Sequence, residues 1–242
     1  MTRGWACVLA ACVGTLAWAA DPSAITAFSQ ARGDSLPRPW TFVALRGATP
    51  ATVDLVMEEA KPVARIKAQS AAGLLVHPLD AGTEGARLRW RWKVDRVVAA
   101  ADLRRREGDD FAARVYVTFA IPDASLTLWE LARLRLARLF YGEAVPAAAL
   151  CYVWDNVHPP GTTAWNSHSN QVRIVVVESG GANAGRWTEV TRDIAADYRA
   201  AFGARYPGPV PRVSGVAISA DTDQTGERVT AWFGDLSLEG AR

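Results

Sequence analysis

Residues 87–94 alternate without interruption. Leu88, Trp90, Trp92 and Val94 fall on one parity, and Arg87, Arg89, Arg91 and Lys93 on the other. A period of two puts one set on a buried face and the other in water, which predicts a strand over 86–95. Two tryptophans on the buried parity need a deep opposing layer to cover them. The pattern recurs over 111–119, where Phe111, Ala113, Val115, Val117 and Phe119 alternate with Ala112, Arg114, Tyr116 and Thr118. Short runs rich in Val, Leu and Ile over 40–46, 52–59, 63–70, 73–79, 150–156, 172–178, 213–220 and 229–238 predict further strands. Pro, Gly or small polar residues separate most of them, the spacing of a meander. The predicted architecture is an antiparallel β-sandwich, jelly-roll-like, with one or two accessory helices.

Two segments break the β pattern. Over 125–142, Leu126, Leu128, Trp129, Leu131, Leu134, Leu136, Leu139 and Phe140 recur at three- and four-residue steps among charged residues. This predicts an amphipathic helix with Ser125 as N-cap and Gly142 near the C-cap. It reads as a cover for one end of the sandwich; its arginines also fit a membrane-surface helix. A second, short helix is predicted over 193–202, ended by Gly203. Pro207, Pro209 and Pro211 follow as a stiff connection. No period of 20–50 residues repeats, so the chain is not a solenoid.

The first residues change the picture. Met1 to Gly4 is a short cationic start, Trp5 to Leu16 is apolar, and Ala17-Trp18-Ala19 has the small-x-small form of a cleavage site. This reads as a secretory signal peptide over 1–19, processed before Ala20, and places the protein in the periplasm or outside the cell. The rival is a lipoprotein-type box at Leu9-Ala10-Ala11-Cys12. No other segment approaches the apolar run of about 20 residues that spanning a membrane requires. Removal of the leader leaves Cys151 without a partner for an internal disulfide, so the fold must stand on its core. Residues 20–39 read as an N-terminal segment and 40–239 as a single domain. Half the residues are hydrophobic and the formal net charge is +2. That is a globular composition, neither disordered nor nucleic-acid-binding.

Several stretches together resemble a known family. Trp90 to Val94, Gly108 to Val117, Tyr152 to Trp154, Arg186-Trp187, Asp197 to Gly203, Gly215 to Ile218, Asp221 to Glu227 and Ala231 to Leu236 are similar, in order, to motifs of a bacterial secreted family catalogued as domain of unknown function 3047. The resemblance covers most of 40–238. It implies an exported single domain and supplies no activity. More loosely, the strand pattern is similar to that of jelly-roll carbohydrate-binding modules, but a fold does not fix a function.

Candidate chemistry begins at Asp221-Thr222-Asp223-Gln224-Thr225-Gly226-Glu227, after the apolar run Val216 to Ile218. Asp-x-Asp-x-Thr after a strand matches the nucleophile loop of haloacid-dehalogenase-type phosphohydrolases. That fold needs its other motifs downstream, and here the chain ends at Arg242. A second reading is a calcium loop, with Asp221, Asp223 and Glu227 as ligands, since hard cations want several carboxylate oxygens from a tight turn. The third is a hairpin turn whose Asp, Thr and Gly satisfy local hydrogen bonds.

Asp109 and Asp110 open the 111–119 strand. A carboxylate pair can cleave a glycosidic bond when it flanks the bond. Adjacent strand residues point to opposite faces, so one of these two would have to work with Asp221 or Glu227. The alternative is that one of them pairs with Arg114 or with the cation row of 86–95. His77, His158 and His168 have no metal-site spacing, and there is no Gly-x-Ser-x-Gly elbow. Cys151 sits in an apolar strand as a small buried hydrophobe; a Cys151–His168 pair is its catalytic alternative.

The polar-aromatic positions point to a ligand. Tyr152, Trp154 and Asn156 share one parity, Arg114 and Tyr116 share another, and the loop after residue 156 carries Trp165 and Asn170. Flat rings mixed with amides and charges suit a sugar, whose C–H faces stack while its hydroxyls need fixed partners. These seven residues form the expected binding face; the alternative is that Trp154 and Trp165 are core and loop anchors. The reading is a non-catalytic binder of a glycan or other polar ligand from the cell envelope. Its rivals are an envelope polysaccharide hydrolase or lyase and a structural envelope protein. No cofactor is expected unless the acidic loop takes calcium.

Overall fold

A computed structural model describes residues 25–83, 86–128, 130–131 and 146–240. The expected leader and most of the expected helix over 125–142 lie outside the described residues. In chain order the strands are β1 (Thr41–Val43), β2 (Thr49–Pro50), β3 (Thr52–Glu58), β4 (Lys61–Gln69), β5 (Ala71–Ala72), β6 (Leu74–Thr83), β7 (Arg87–Val94) and β8 (Ala113–Phe119). They continue as β9 (Ala148–Asp155), β10 (Thr163–Asn166), β11 (Ser169–Ser179), β12 (Thr188–Asp193), β13 (Val213–Ser219), β14 (Arg228–Phe233) and β15 (Ser237–Glu239). The larger sheet has the order β1-β6-β13-β8-β9-β11-β10. The smaller has β12-β7-β14-β4-β3, with β15 added to β7. β2 and β5 pair separately.

The alternation of β7 is realised as read. Leu88, Trp90, Trp92 and Val94 are buried against the larger sheet. Trp90 meets the Tyr152 ring at 5.3 Å and Trp92 meets Trp154 at 5.8 Å, so aromatic contacts join the two layers. The outward cations are answered by carboxylates: Arg91 reaches Glu59 at 2.7 Å and Lys93 reaches Glu58 at 2.6 Å. β9 behaves differently, because all eight of its residues are buried. Its inner parity faces the main core. Its outer parity, Cys151 and Val153, joins Leu103, Phe111, Ile174 and Val176 in a second apolar cluster on the far face. The segment before β1 also belongs to the core: Phe28 is fully buried and its ring lies 4.7 Å from that of Trp40.

Four features depart from the sequence pattern. β9 and β11 run parallel, so the larger sheet is mixed rather than wholly antiparallel. β10 and β12 were not expected as strands; both are short edge strands without an apolar stripe. The first α-helix is capped by Thr127, not Ser125. Glu130 N–H donates to Thr127 Oγ1 at 3.2 Å and Thr127 N–H donates to Glu130 Oε2 at 2.8 Å, a reciprocal capping box. The second helix, α1 (Ile194–Phe202), is as expected, with Asp193 accepting from Ala196 N–H at 2.8 Å as its N-cap. Finally, β13 and β14 lie in different sheets, so the Asp221–Glu227 loop crosses between layers and is not a hairpin turn. No helix among the described residues is long and apolar enough to cross a membrane.

Candidate functional site

The acidic candidates gather around one buried guanidinium. Arg114, on the outer face of β8, donates from Nε to Asp221 Oδ1 at 3.0 Å and lies 2.7 Å from Asp221 Oδ2. Its other nitrogen donates to Asp109 Oδ1 at 3.2 Å. The sequence offered a pairing of Asp109 or Asp110 with Arg114 or the cation row, and the structure pairs Asp109 with Arg114. Asp221 Oδ1 also accepts from Phe111 N–H at 2.9 Å, and Asp109 Oδ2 accepts from Asn166 Nδ2 at 2.6 Å. Asp110 accepts from Gln224 N–H and from Thr225 N–H at 2.6 Å. Glu227 accepts from Ala99 N–H at 3.1 Å and Ala100 N–H at 2.8 Å. Every carboxylate oxygen of these four residues is thus already engaged in holding loops to strands or to one another.

Burial pushes the Asp221 carboxyl up to about 7; Arg114 opposes that shift and nearby Asp110 adds to it. Asp223 moves in the same direction for the same first reason, burial. Ligand oxygens of Asp110, Asp221 and Asp223 all lie within 4.8 Å of one another, so the crossover loop brings these three carboxylates together. A cation there would compete with Arg114 and with the backbone donors for the same lone pairs. Glu227, the third expected calcium ligand, points instead to the Ala99–Ala100 backbone. The antiparallel neighbours of β13, namely β6 and β8, exclude the parallel α/β setting that the phosphohydrolase loop requires.

The expected binding face does not form as one surface. Register pairs Arg114 with Val153 and Tyr116 with Cys151, whereas Tyr152 opposes Val115 and Trp154 opposes Ala113. Residues directly opposite share a face. Arg114 and Tyr116 therefore lie on the outer face, and Tyr152 and Trp154 on the inner one. Both inner rings are fully buried, and their polar ends are used internally: Tyr152 donates to Asp197 at 2.8 Å and Trp154 Nε1 to Gly180 O at 3.0 Å. Asn156 donates to Ala99 O and Ala101 O, both at 2.9 Å, which fixes the adjacent loop. Trp165 is 40% exposed on edge strand β10, with the Arg173 guanidinium 5.0 Å from its ring. Asn170 is exposed, and its carbonyl accepts from Arg205 at 2.9 Å. Shared parity on two strands failed here because it carries no information about which parity of each strand faces the partner sheet.

Cys151 is buried in the second apolar cluster, and burial pushes its thiol up to about 12. Such a thiol supplies no thiolate at neutral pH. His168 instead approaches Asp109, at 3.7 Å, and His158 is held by Asp155 at 3.1 Å.

A polar-aromatic surface does exist, on the outer face of the smaller sheet. Lys93 Nζ lies 5.3 Å from the Trp187 ring and 4.6 Å from the Trp232 ring. Arg91 stacks over Trp187 at 4.3 Å. Trp232 pairs in register with Arg65, and Arg65 with Asp54. The row Trp187, Lys93, Trp232, Arg65, Asp54 runs across the full width of the sheet. At about 4.8 Å between strands it spans roughly 19 Å. Both tryptophans are half-buried, and each is fixed by a cation rather than by the core. The sequence carried a signal for Trp232. In β14, Val229, Ala231 and Phe233 take the buried parity, which leaves a tryptophan on the solvated one.

Solved structures with related outlines are distant. A family 11 carbohydrate-binding module from Clostridium thermocellum, in complex with a beta-1,3-1,4-mixed-linked tetrasaccharide, is similar at 8% identity and TM-score 0.41, covering 90% of this chain and 95% of that one. The family 12 xyloglucanase from Bacillus licheniformis is similar at 9% identity and TM-score 0.36, covering 84% and 87%. The cellulose-induced protein Cip1 is similar at 13% identity and TM-score 0.33, covering 84% and 92%. None of these likenesses carries a ligand or an activity to this chain. No curated protein matches it. The motifs around Trp90, Asp109, Trp187 and Asp221 fall inside a family profile that matches residues 38–237, and the chain belongs to that family, described as Protein of unknown function (DUF3047).

Proposed function

We propose that the chain is an exported, non-catalytic binding domain for a glycan or a similar hydroxyl-rich ligand. The observation that carries this reading is the fixed row of Trp187, Lys93 and Trp232 on the outer face of the smaller sheet. Rings held by cations offer flat apolar area for sugar C–H faces, and the flanking charges offer hydrogen-bond partners for hydroxyls. The engagement of Asp109, Asp110, Asp221 and Glu227 in loop-holding hydrogen bonds speaks against the hydrolase or lyase alternative. Export rests on the leader pattern over 1–19.

Glycan-array retention of the mature chain against its Trp187→Ala and Trp232→Ala variants tests the proposal. Loss of one stacking ring removes about 1–3 kcal/mol of affinity, by the apolar area the ring covers. Both variants are expected to fold and to lose retention. Undiminished retention in both, or release of shortened products from bound glycans, would overturn the reading.

A further inference from the structure

The smaller sheet has a gap. β14 ends at Phe233 and pairs with β7 only over residues 92–94; β15 begins at Ser237 and pairs with β7 over 87–89. Between them Gly234 N–H still donates to Arg91 O of β7 at 2.9 Å, and the chain then leaves the ladder at Asp235. A pocket of about 190 Å³ opens there on the outer face. Lys61 of β4, Arg89 and Arg91 of β7, Glu189 and Thr191 of β12, and Ser237 of β15 line it. Arg91 also stacks on Trp187, so the pocket is continuous with the aromatic row.

The bonding state of these groups is uneven. Arg91 is committed to Glu59 at 2.7 Å. Asp235, at the rim, has both oxygens taken by Ser29, at 2.9 and 2.5 Å. Lys61, by contrast, makes no ion pair or side-chain hydrogen bond among the described residues. Among the described residues Arg89 has only Glu239, at 3.7 Å, and its side chain is 55% exposed. Glu189, Thr191 and Ser237 likewise have no side-chain partner among the described residues. One uncommitted cation, Lys61, and one weakly paired cation, Arg89, thus share the pocket with one uncommitted carboxylate and two hydroxyls.

We propose that this pocket holds one ring of an acidic sugar, with the uronate carboxylate against Lys61 and Arg89 and the ring hydroxyls on Glu189, Thr191 and Ser237. This deepens the binding reading above, on which it rests, and names the ligand class. The pocket lies below the 300–1,000 Å³ typical of drug-sized sites, which limits it to about one ring. Glu189 needs a donor on the ligand, so a bare inorganic anion suits the pocket less than a hydroxylated one. A neutral sugar would leave Lys61 without an ion-pair partner and Arg89 with only the distant Glu239 carboxylate.

The test is isothermal titration of the full mature chain with oligosaccharides containing glucuronate, galacturonate or mannuronate. Each is compared with its carboxyl-reduced, neutral counterpart. At least one acidic oligosaccharide is expected to bind tenfold or more tightly than its reduced form. Lys61→Ala combined with Arg89→Ala should abolish that difference while leaving the melting temperature and the weaker neutral binding in place. Equal binding of acidic and reduced forms, unaffected by the double variant, would overturn the pocket assignment and leave the aromatic row intact. Displacement of the acidic ligand by an equal concentration of inorganic phosphate would reduce the pocket to a simple anion site and also overturn it. If no oligosaccharide of either kind binds, the binding reading and the pocket assignment fail together.

Discussion

Asp221 and Arg114 are adjacent opposite charges, yet burial moves the acid toward its neutral form, up to about 7 against an ordinary 3.8. A carboxyl raised in the fold binds its proton more tightly there than in the unfolded chain. Its contribution to stability is fully present below about pH 3.8 and is lost as pH rises through about 7. The whole span is worth at most about 4 kcal/mol. Urea unfolding of the wild type at pH 5 and pH 8 should therefore show a fall with pH that Asp221→Asn lacks. At pH 8, where Asp221 is ionised, the variant also removes one of the two carboxylates on Arg114. A wild-type slope retained in full by the variant would place the titrating group elsewhere. Trp154 makes the complementary point for apolar residues. It is fully buried beside Trp92, so Trp154→Ala should cost about 3–5 kcal/mol. The half-buried Trp232 on the outer face should cost far less. Similar losses from the two substitutions would mean that Trp232 is a core residue.

At the scale of elements, β7 was legible because its two parities differ completely in polarity, and its partner sheet followed from the two tryptophans. α1 was legible from its cap and its terminal glycine. β9 was only half legible. Tyr152, Trp154 and Asn156 look like a ligand face when one parity is read alone, but both faces of β9 are covered, and the second cover comes from Leu103 and Phe111 in a loop. No periodicity announces a loop folded over a sheet. β12 was invisible because its inward residues are Thr188, Val190 and Arg192, and Arg192 is satisfied by Asp197 at 2.6 Å rather than by the core. Of the candidate site, only the Arg114–Asp109 pairing and the solvated cation row were readable, and the tryptophans that flank the row were not recognised. The break between β14 and β15 yields a prediction of its own. A Cβ on Gly234 would lie 2.6 Å from Arg91 Cγ and 2.7 Å from its Nε. Gly234→Ala should push Arg91 off Trp187 and cost about 0.5–1 kcal/mol, the scale of an exposed cation–π contact. Denaturation with the wild-type midpoint would show that the stacking contributes nothing.

The molecule as a whole divides its aromatic residues by layer. Trp90, Trp92, Trp154 and Tyr152 hold the two sheets together from inside, while Trp187 and Trp232 sit outside with Lys93 between them. The charged groups divide similarly. Arg114 and its carboxylates clamp the crossover loop to the larger sheet, and the cations of β7 lie on the outer face of the smaller sheet, paired with their acidic neighbours. Stability rests with one set of groups and the proposed binding with another, and the two are separable by observation. Indole N–H resonances of the protein, followed by nitrogen–proton correlation NMR during titration with the oligosaccharide that binds best, report on each tryptophan individually. The expectation is that Trp187 and Trp232 shift with ligand while Trp90, Trp92 and Trp154 stay in place. Shifts confined to Trp165, or shared equally by the buried tryptophans, would contradict it.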